Sequence, residues 1–338
     1  MGIRIKHAGL LTTVQDRGRL GYRQQGIIAG GGMDDFALRA ANLLVGNEAG
    51  AAVLEATLIG PKLIFEQDAL IAICGGNLSP TVHGIAVPLW RPVYIKAGNE
   101  LSFGACVAGA RAYIAAAGGV DVPLVMGSRS TYTRAAIGGF EGRALKAGDV
   151  VAIGEGASET LFYWEQEAGD RQDAAPFFAA SWSIGSEGRP FYRKNPVIRF
   201  VPGRHFDAFT EGSRKHFLQS DFRISTQLDR MGYRLEGPRL GTEAALEPIS
   251  EAVSMGTIQV PAGGSPIILM ADHQTIGGYP KIAQVATVDL PLLAQAKPGE
   301  TIRFKQITRQ KSEELYIKHE LQMQRLSMFI VIRYREER

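Results

Sequence analysis

Apolar residues along this chain recur mostly at every second position, in short runs, and few stretches carry helical spacing. Ile3 and Ile5 alternate with Arg4 and Lys6. The runs 62–65, 70–74, 93–95, 111–116, 197–201 and 267–270 are bounded by Gly, Pro, Asn or Asp, which predicts short strands joined by tight turns. Two stretches read as helices. Asp34 can cap one that carries Phe36, Ala40, Leu43 and Leu44 on one face and stops at Gly46. The other is 205–218, with Phe206, Phe209 and Phe217 as its apolar members. A Lys-Ala/Pro-Gly turn feeding a period-two strand recurs three times, from Lys96, Lys146 and Lys297. One turn chemistry used three times explains it; alternatively, these strands close or edge successive β-barrel units.

The patterning falls into parts. The polar, aperiodic stretch 165–175 and the turn cluster Gly185-Ser186-Glu187-Gly188-Arg189-Pro190 predict a boundary between units 1–190 and 195–310. Residues 311–324 are charged and Gly-free, with Glu314 four positions before Lys318, so the tail 311–338 reads as an exposed helix.

Composition narrows the class. With 338 residues, 45% hydrophobic and 21% charged, the chain can bury a sizeable core and is not disordered. Thirty-seven Lys and Arg against 34 Asp and Glu leave a net charge of +3, too mild and too evenly spread to point to nucleic acid or a membrane surface. Forty Gly and 16 Pro favour many short strands over a helix bundle. Cys74 and Cys106 both lie in apolar runs and read as two buried, reduced thiols. No apolar signal segment follows Met1, and the apolar stretch 328–332 is too short to cross a bilayer, so a cytoplasmic location is expected.

Several chemistries lack their motif: there is no Gly-x-x-x-x-Gly-Lys-Ser/Thr loop, no Gly-x-Ser-x-Gly and no His-Glu-x-x-His. The six histidines show no metal-ligand spacing, so no metal is expected. Gly30-Gly31-Gly32 before a helix suits a turn needing positive φ, or a phosphate cradle. Three segments place polar residues where a plain barrel needs none. They are Thr12 to Arg19, with Gln15, Asp16 and Arg17; Gln227 to Arg234, with Asp229 and Arg230; and Ala271 to Lys281. In the third, an apolar run ends in Asp272, His273 and Gln274, and the turn Gly277-Gly278-Tyr279 leads to Lys281. Carboxylate, amide, backbone N–H donors and an ammonium within ten residues suit transfer chemistry on a carbonyl or phosphoryl group. Lys281 is expected to point into the cleft and stabilise charge on the reacting oxygen, with Asp229, Arg230, Asp272 and Gln274 beside it.

At these residues the chain resembles the allophanate hydrolase subunit 2 family, over roughly 8–305. The resemblance rests on Gly9 to Arg19, on Met33-Asp34 through Asn47, on Gly127-Ser128-Arg129-Ser130-Thr131, on Gly138 to Leu145, on Ser225 to Leu235 and on Asp272 to Ala283. The chain departs in its all-Gly turn before Met33 and in Asn77, where many relatives carry Asp. The resemblance implies a mainly β fold of tandem cyclophilin-like β-barrel subdomains with a few short helices, corresponding to subdomains A and B of a carboxyltransferase domain. It implies a component of an ATP-dependent 5-oxoprolinase that opens 5-oxoproline to L-glutamate. ATP would be the co-substrate of the complex, with no metal or covalent biotin on this chain. The implied partners are the B component (KipI-like) and the A component (LamB/YcsF-like) of that 5-oxoprolinase. Gln15, Asp16, Arg17, Arg129, Ser130, Gly277, Gly278 and Tyr279 are then the expected substrate-binding residues. Two alternatives stay open: a biotin-dependent urea or amide carboxyltransferase component, and a regulatory protein antagonising a sporulation-kinase inhibitor.

Overall fold

Strands form at every predicted run, as Gly2–His7, Lys62–Phe65, Ala69–Asn77, Pro92–Ile95, Ala108–Ala116, Val197–Pro202 and Ile267–Leu269. The computed structural model describes residues 2–156, 163–168, 175–244, 246 and 248–336; most of the polar stretch 165–175 lies outside them. The chain divides into two units, each assembled from separate stretches: Met1–Arg19, Asp34–Phe191 and Gln322–Arg338 in one, Leu20–Met33 and Tyr192–Leu321 in the other.

The first unit holds a seven-stranded and a six-stranded sheet. In the seven-stranded sheet Gly2–His7 lies between Val150–Ile153 and Lys62–Phe65, antiparallel to both. Its alternation sends Ile3 and Ile5 into the core with Leu63 and Phe65, while Arg4 stays outside, paired to Glu66. The central strands of the other sheet, Ala69–Asn77 and Ala108–Ala116, are buried on both faces, so their apolar runs are continuous rather than alternating. One face meets the core, where Ile71, Ile73 and Ile114 lie. The helix Asp35–Leu44 packs on these two strands. Asp34 caps that helix by accepting from Ala37 N at 2.9 Å, and Gly46 follows its end at φ 76°. Tyr113 ties the cap to the sheet: its hydroxyl accepts from Asp34 N and donates to buried Glu55, each at 2.8 Å. Burial pushes the Tyr113 hydroxyl well above its ordinary value, with Glu55 adding to the effect, so it stays protonated.

The second unit contains a closed seven-stranded barrel. In order it runs Val197–Pro202, Lys281–Val285, Thr257–Gln259, Ile267–Leu269, Gly232–Glu236, Phe222–Leu228 and Thr301–Gln306, and the last strand pairs in parallel with the first. Phe200, Phe217, Phe222 and Phe304 fill one part of its core, Phe217 stacking on Phe304 with ring centroids 4.3 Å apart. The helix predicted over 205–218 starts later, as Glu211–Gln219. Phe206 sits in a single 3₁₀ turn, and Thr210 opens the helix by accepting from Ser213 N, so the cap chemistry at 210 sets the start.

The three sequence repeats fold identically. Gly98, Gly148 and Gly299 have φ of 78°, 94° and 84°, the third-position geometry of a type II turn. In each copy the lysine carbonyl accepts from the N–H three residues on, and the glycine N–H donates to the neighbouring strand at Phe65, Ile5 and Ile224 respectively. The strands that follow the first two copies lie inside the seven-stranded sheet; only the third closes a barrel.

The tail forms one helix, Arg309–Glu336. Glu314 pairs with Lys311 rather than with Lys318. Within the first unit, Tyr334 donates its hydroxyl to the Leu44 carbonyl at 2.5 Å, and Trp182 meets the Tyr334 ring edge-on. Cys74 is buried, with its thiol pushed well above the ordinary value by desolvation and then by Asp34; Cys106 is only half-buried. Among the described residues no helix is long and apolar enough to cross a membrane.

Candidate functional site

The barrel strand Ile267–Leu269 ends just before Met270, and the chain runs through 270–280 before re-entering the barrel at Lys281. The turn delivers its polar residues to two different clusters. The first is built on Arg230 and Asp272, both buried. Arg230 Nε donates to Asp272 Oδ2 at 2.9 Å and Nη2 donates to Oδ1 at 3.0 Å, a bidentate fork. Arg230 Nη2 also reaches the Gly31 carbonyl, so the glycine turn at 30–32 serves this guanidinium with a backbone oxygen. His273 stands beside the fork. Its Nδ1 contacts the Gln274 carbonyl at 2.5 Å, which requires a proton on Nδ1, and Nε2 then accepts from Arg23 at 2.9 Å. Desolvation lowers the His273 pKa, so the ring is neutral and held in one tautomer.

The second cluster is built on Lys281, whose side chain is 9% exposed. Its ammonium donates to Glu251 Oε1 at 2.8 Å and to the Gly277 carbonyl at 3.3 Å. Glu251 comes from the two-residue strand Glu251–Ala252, which pairs with Ile276–Gly277 and so faces the turn. Hydrogen bonding to Lys281 holds the Glu251 carboxyl below its ordinary value, and Arg204, 2.5 Å away, acts in the same direction. His205 Nδ1 accepts from the Lys281 backbone N–H at 3.1 Å. Burial and then the Lys281 charge depress its pKa, leaving a neutral ring with its proton on Nε2. Gln259 lies across the barrel pair from Lys281, buried, and its Nε2 has no partner.

The residues expected to share one cleft thus fall into two hydrogen-bonded groups. The side-chain partners of Lys281 are Glu251 and the Gly277 carbonyl, not Asp272 or Arg230. Asp229 is exposed, and its Oδ1 accepts from Met231 N and Gly232 N, the local turn geometry that short acids favour. Gln274 contributes its carbonyl to His273. Gly278, Tyr279 and Pro280 line a cavity of about 560 Å³ with Phe209, Leu240, Val260 and the polar Thr242 and Glu243, a wall of mixed character.

In the first unit, Asp16 gathers the expected residues around itself. Oδ1 accepts from Gly18 N, Ser128 Oγ and Ser130 Oγ, and Oδ2 from Arg129 N, at 2.5–2.8 Å. Four donors make it the tie between the loop after Leu11–Gln15 and the segment 128–130. Gln15 is fully buried; its amide donates to Thr13 Oγ1 and the Thr131 carbonyl, while Oε1 has no partner. The Arg129 side chain turns to the Val122 carbonyl, and Arg17 pairs with Asp35 in solvent. Arg19 is fully buried and donates to the Val125 and Ser130 carbonyls.

Glu251, His205, Gln259 and Arg19 were not singled out by the sequence. His205 and Gln259 lie opposite or beside Lys281 across the barrel, a relation that only register reveals. Glu251 follows an aperiodic stretch. Arg19 is the one with a signal, since it ends a motif whose neighbours were chosen. Among the described residues no three His, Cys, Asp or Glu are grouped to hold a metal ion.

Comparison with known proteins gives this geometry a family. The family described as carboxyltransferase domain, subdomain A and B, matches residues 25–306. A 5-oxoprolinase subunit, designated C, from Escherichia coli K12 is 40% identical over 304 residues, spanning 90% of this chain and 91% of its own. A protein of the same name from Haemophilus influenzae is 35% identical over 94% and 95% of the two chains. The crystal structure of the K. lactis urea amidolyase superposes with a TM-score of 0.85 at 30% identity over 96% of this chain, which spans only 20% of that one.

Proposed function

This chain belongs to the carboxyltransferase domain, subdomain A and B, family, and from that premise we propose that it is the corresponding component of an ATP-dependent 5-oxoprolinase. The observation that carries the reading is colinearity: the match to the E. coli 5-oxoprolinase component takes in nine-tenths of both chains, whereas the urea amidolyase match takes in a fifth of that protein. A KipI-like and a LamB/YcsF-like protein complete the enzyme, and ATP is the co-substrate of the complex.

A ring amide is a poor electrophile. Transfer of the γ-phosphoryl group of ATP to its oxygen releases ADP and activates the carbon. One water then adds, the C–N bond breaks as the ring nitrogen takes a proton, and a second water hydrolyses the resulting acyl phosphate to L-glutamate and phosphate. Oxygen-centred negative charge develops in each of these steps. Lys281 is suited to meet it. An ammonium has three N–H groups. Two are held by Glu251 and the Gly277 carbonyl, which leaves one for a substrate oxygen in a largely water-free setting. His205, kept neutral beside it, can donate a hydrogen bond from Nε2 to a substrate oxygen. Arg230 and Asp272 hold the turn that carries Lys281 and act on its position. Within the first unit, taken by itself, Gln15 offers an unmatched buried carbonyl oxygen, Asp16 fixes the surrounding loop, and Ser130, Arg129 and Arg17 are that unit's candidate contacts.

The test is glutamate release from 5-oxoproline and ATP by the co-purified components, with and without this chain. Release that needs the chain supports the reading, and full release without it removes it. The fit to the urea amidolyase structure favours a second reading, a biotin-dependent carboxyltransferase component. Transfer of labelled carboxylate from carboxybiotin to urea by this chain and its partners would select that reading instead.

A further inference from the structure

The C-terminal helix Arg309–Glu336 starts just beyond the last residue of the family match, 306. One of its faces is committed to its own chain, with Met323, Ile330 and Tyr334 buried. Another face is not. Ile317, Leu321, Gln324, Met328 and Val331 follow one another at steps of four, three, four and three residues, and all five are exposed. The four apolar ones stand 47–60% open to solvent. A free amphipathic helix drifts on a 3.6-residue period, whereas this stripe keeps the 3.5-residue period of a coiled-coil seam. Leu321 and Met328 occupy a positions; Ile317, Gln324 and Val331 occupy d positions.

The charges beside the seam are sorted by sign. Of the positions preceding a, Glu313 and Glu320 are acidic and Ser327 is neutral, Glu313 also pairing with Arg309 of its own helix. Of the positions following d, Lys318 and Arg325 are basic and Ile332 is apolar. In a parallel, in-register pair each g residue faces the e residue five positions on in the other helix. Two copies of this chain would therefore set Glu313 against Lys318 and Glu320 against Arg325, on both flanks. An antiparallel pair would set acid against acid and base against base. From this sorting we infer that the C-terminal helix is a parallel homodimerisation seam, and that a second copy of this chain covers it. Gln324, the polar residue at d, meets its own counterpart across the two-fold axis and fixes the register. Two heptads are short for a free peptide. Here the helix is already ordered by Met323, Ile330 and Tyr334, so association carries little cost of helix formation.

The experiment is sedimentation velocity of the full chain over a wide concentration range. The expected result is a shift from the 36.6 kDa monomer to twice that mass as concentration rises. The double variant Leu321→Glu/Met328→Glu, whose circular dichroism should match wild type because both positions are exposed, should stay monomeric throughout. Glu320→Lys should weaken the dimer roughly tenfold, and adding Arg325→Glu should restore it, since the pair is then reversed rather than broken. Gln324→Cys should crosslink copy to copy under mild oxidation, with wild type as the control for Cys106. A chain that is monomeric at every concentration overturns the inference. So does a dimer indifferent to Leu321→Glu/Met328→Glu, or a dimer that Gln324→Cys does not crosslink. If the chain alone stays monomeric while that double variant loses co-elution with the KipI-like protein, the seam belongs to the heterologous partner and the inference also fails.

Discussion

The side-chain amide of Gln259 lies against the Cα of Gly277: a β-carbon built there would stand 2.5 Å from Gln259 Nε2. Gly277 is buried, and a side chain there would require the Gln259 amide to shift rather than any change of backbone torsion. The same residue lends its carbonyl to Lys281, so displacing it disturbs the ammonium. Gly277→Ala should therefore cost about 1–3 kcal/mol, the usual range for overpacking. Shortening the neighbour in the double variant Gly277→Ala/Gln259→Ala should recover part of that cost. Denaturant unfolding of both variants and of Gln259→Ala closes the cycle, and strict additivity would contradict the contact.

Lys281→Met keeps most of the stem and removes the charge. The reconstituted enzyme should lose on the order of 10²–10³ in kcat, the usual cost of one oxyanion donor, while the variant still binds the KipI-like protein. The partner carboxylate gives a second readout. Glu251 titrates below its ordinary value in the folded protein, so the unfolded chain binds its proton first as pH falls. The stabilisation from the pair is thus complete above the ordinary carboxylate value and is lost as pH drops through the depressed one. Thermal unfolding of wild type and Lys281→Met should differ near neutrality and converge in acid.

The Arg230–Asp272 fork is buried on both sides, with side chains 7% and 5% exposed. Arg230→Ala would leave the Asp272 carboxylate buried without its guanidinium, at a cost of about 3–5 kcal/mol. Arg230→Lys should recover only part of this, because an ammonium cannot reproduce two parallel bonds and also reach Gly31. Chemical denaturation of the two variants checks the order.

Asp16→Asn replaces a carboxylate oxygen by an amide donor among four donors. A loss of about 2–3 kcal/mol is expected, in the range for hydrogen bonds to a charged group. Hydrogen exchange should localise the added opening to 16–19 and 128–131.

The elements of this fold were legible because period-two alternation survives wherever one sheet face is buried, as at Ile3 and Ile5. The continuous run at Ala69–Asn77 was equally readable, since burial on both faces leaves no polar positions. The helix start near 205 was misread because three phenylalanines imitate a stripe that the cap at Thr210 interrupts. The candidate site was half legible. Lys281, Asp272 and Arg230 were found as polar residues at strand ends, but nearness along the chain did not reveal which of them are hydrogen-bonded to each other. Glu251, thirty residues before Lys281 on a two-residue strand, leaves no periodic trace, and the register that sets Gln259 opposite Lys281 is a property of the closed barrel.

The parallel pairing of Val197–Pro202 with Thr301–Gln306 bears on how the protein is made. The strand that opens the barrel leaves the ribosome about a hundred residues before the strand that closes it. Until then Val197–Pro202 offers one unpaired edge with Ile198 and Phe200 ready for the core, and edges of this kind recruit foreign strands. Such a long-range closure is entropically slow. Translation that stops short of residue 306 should thus leave a nascent chain that depends on chaperones, while full-length chains fold unaided.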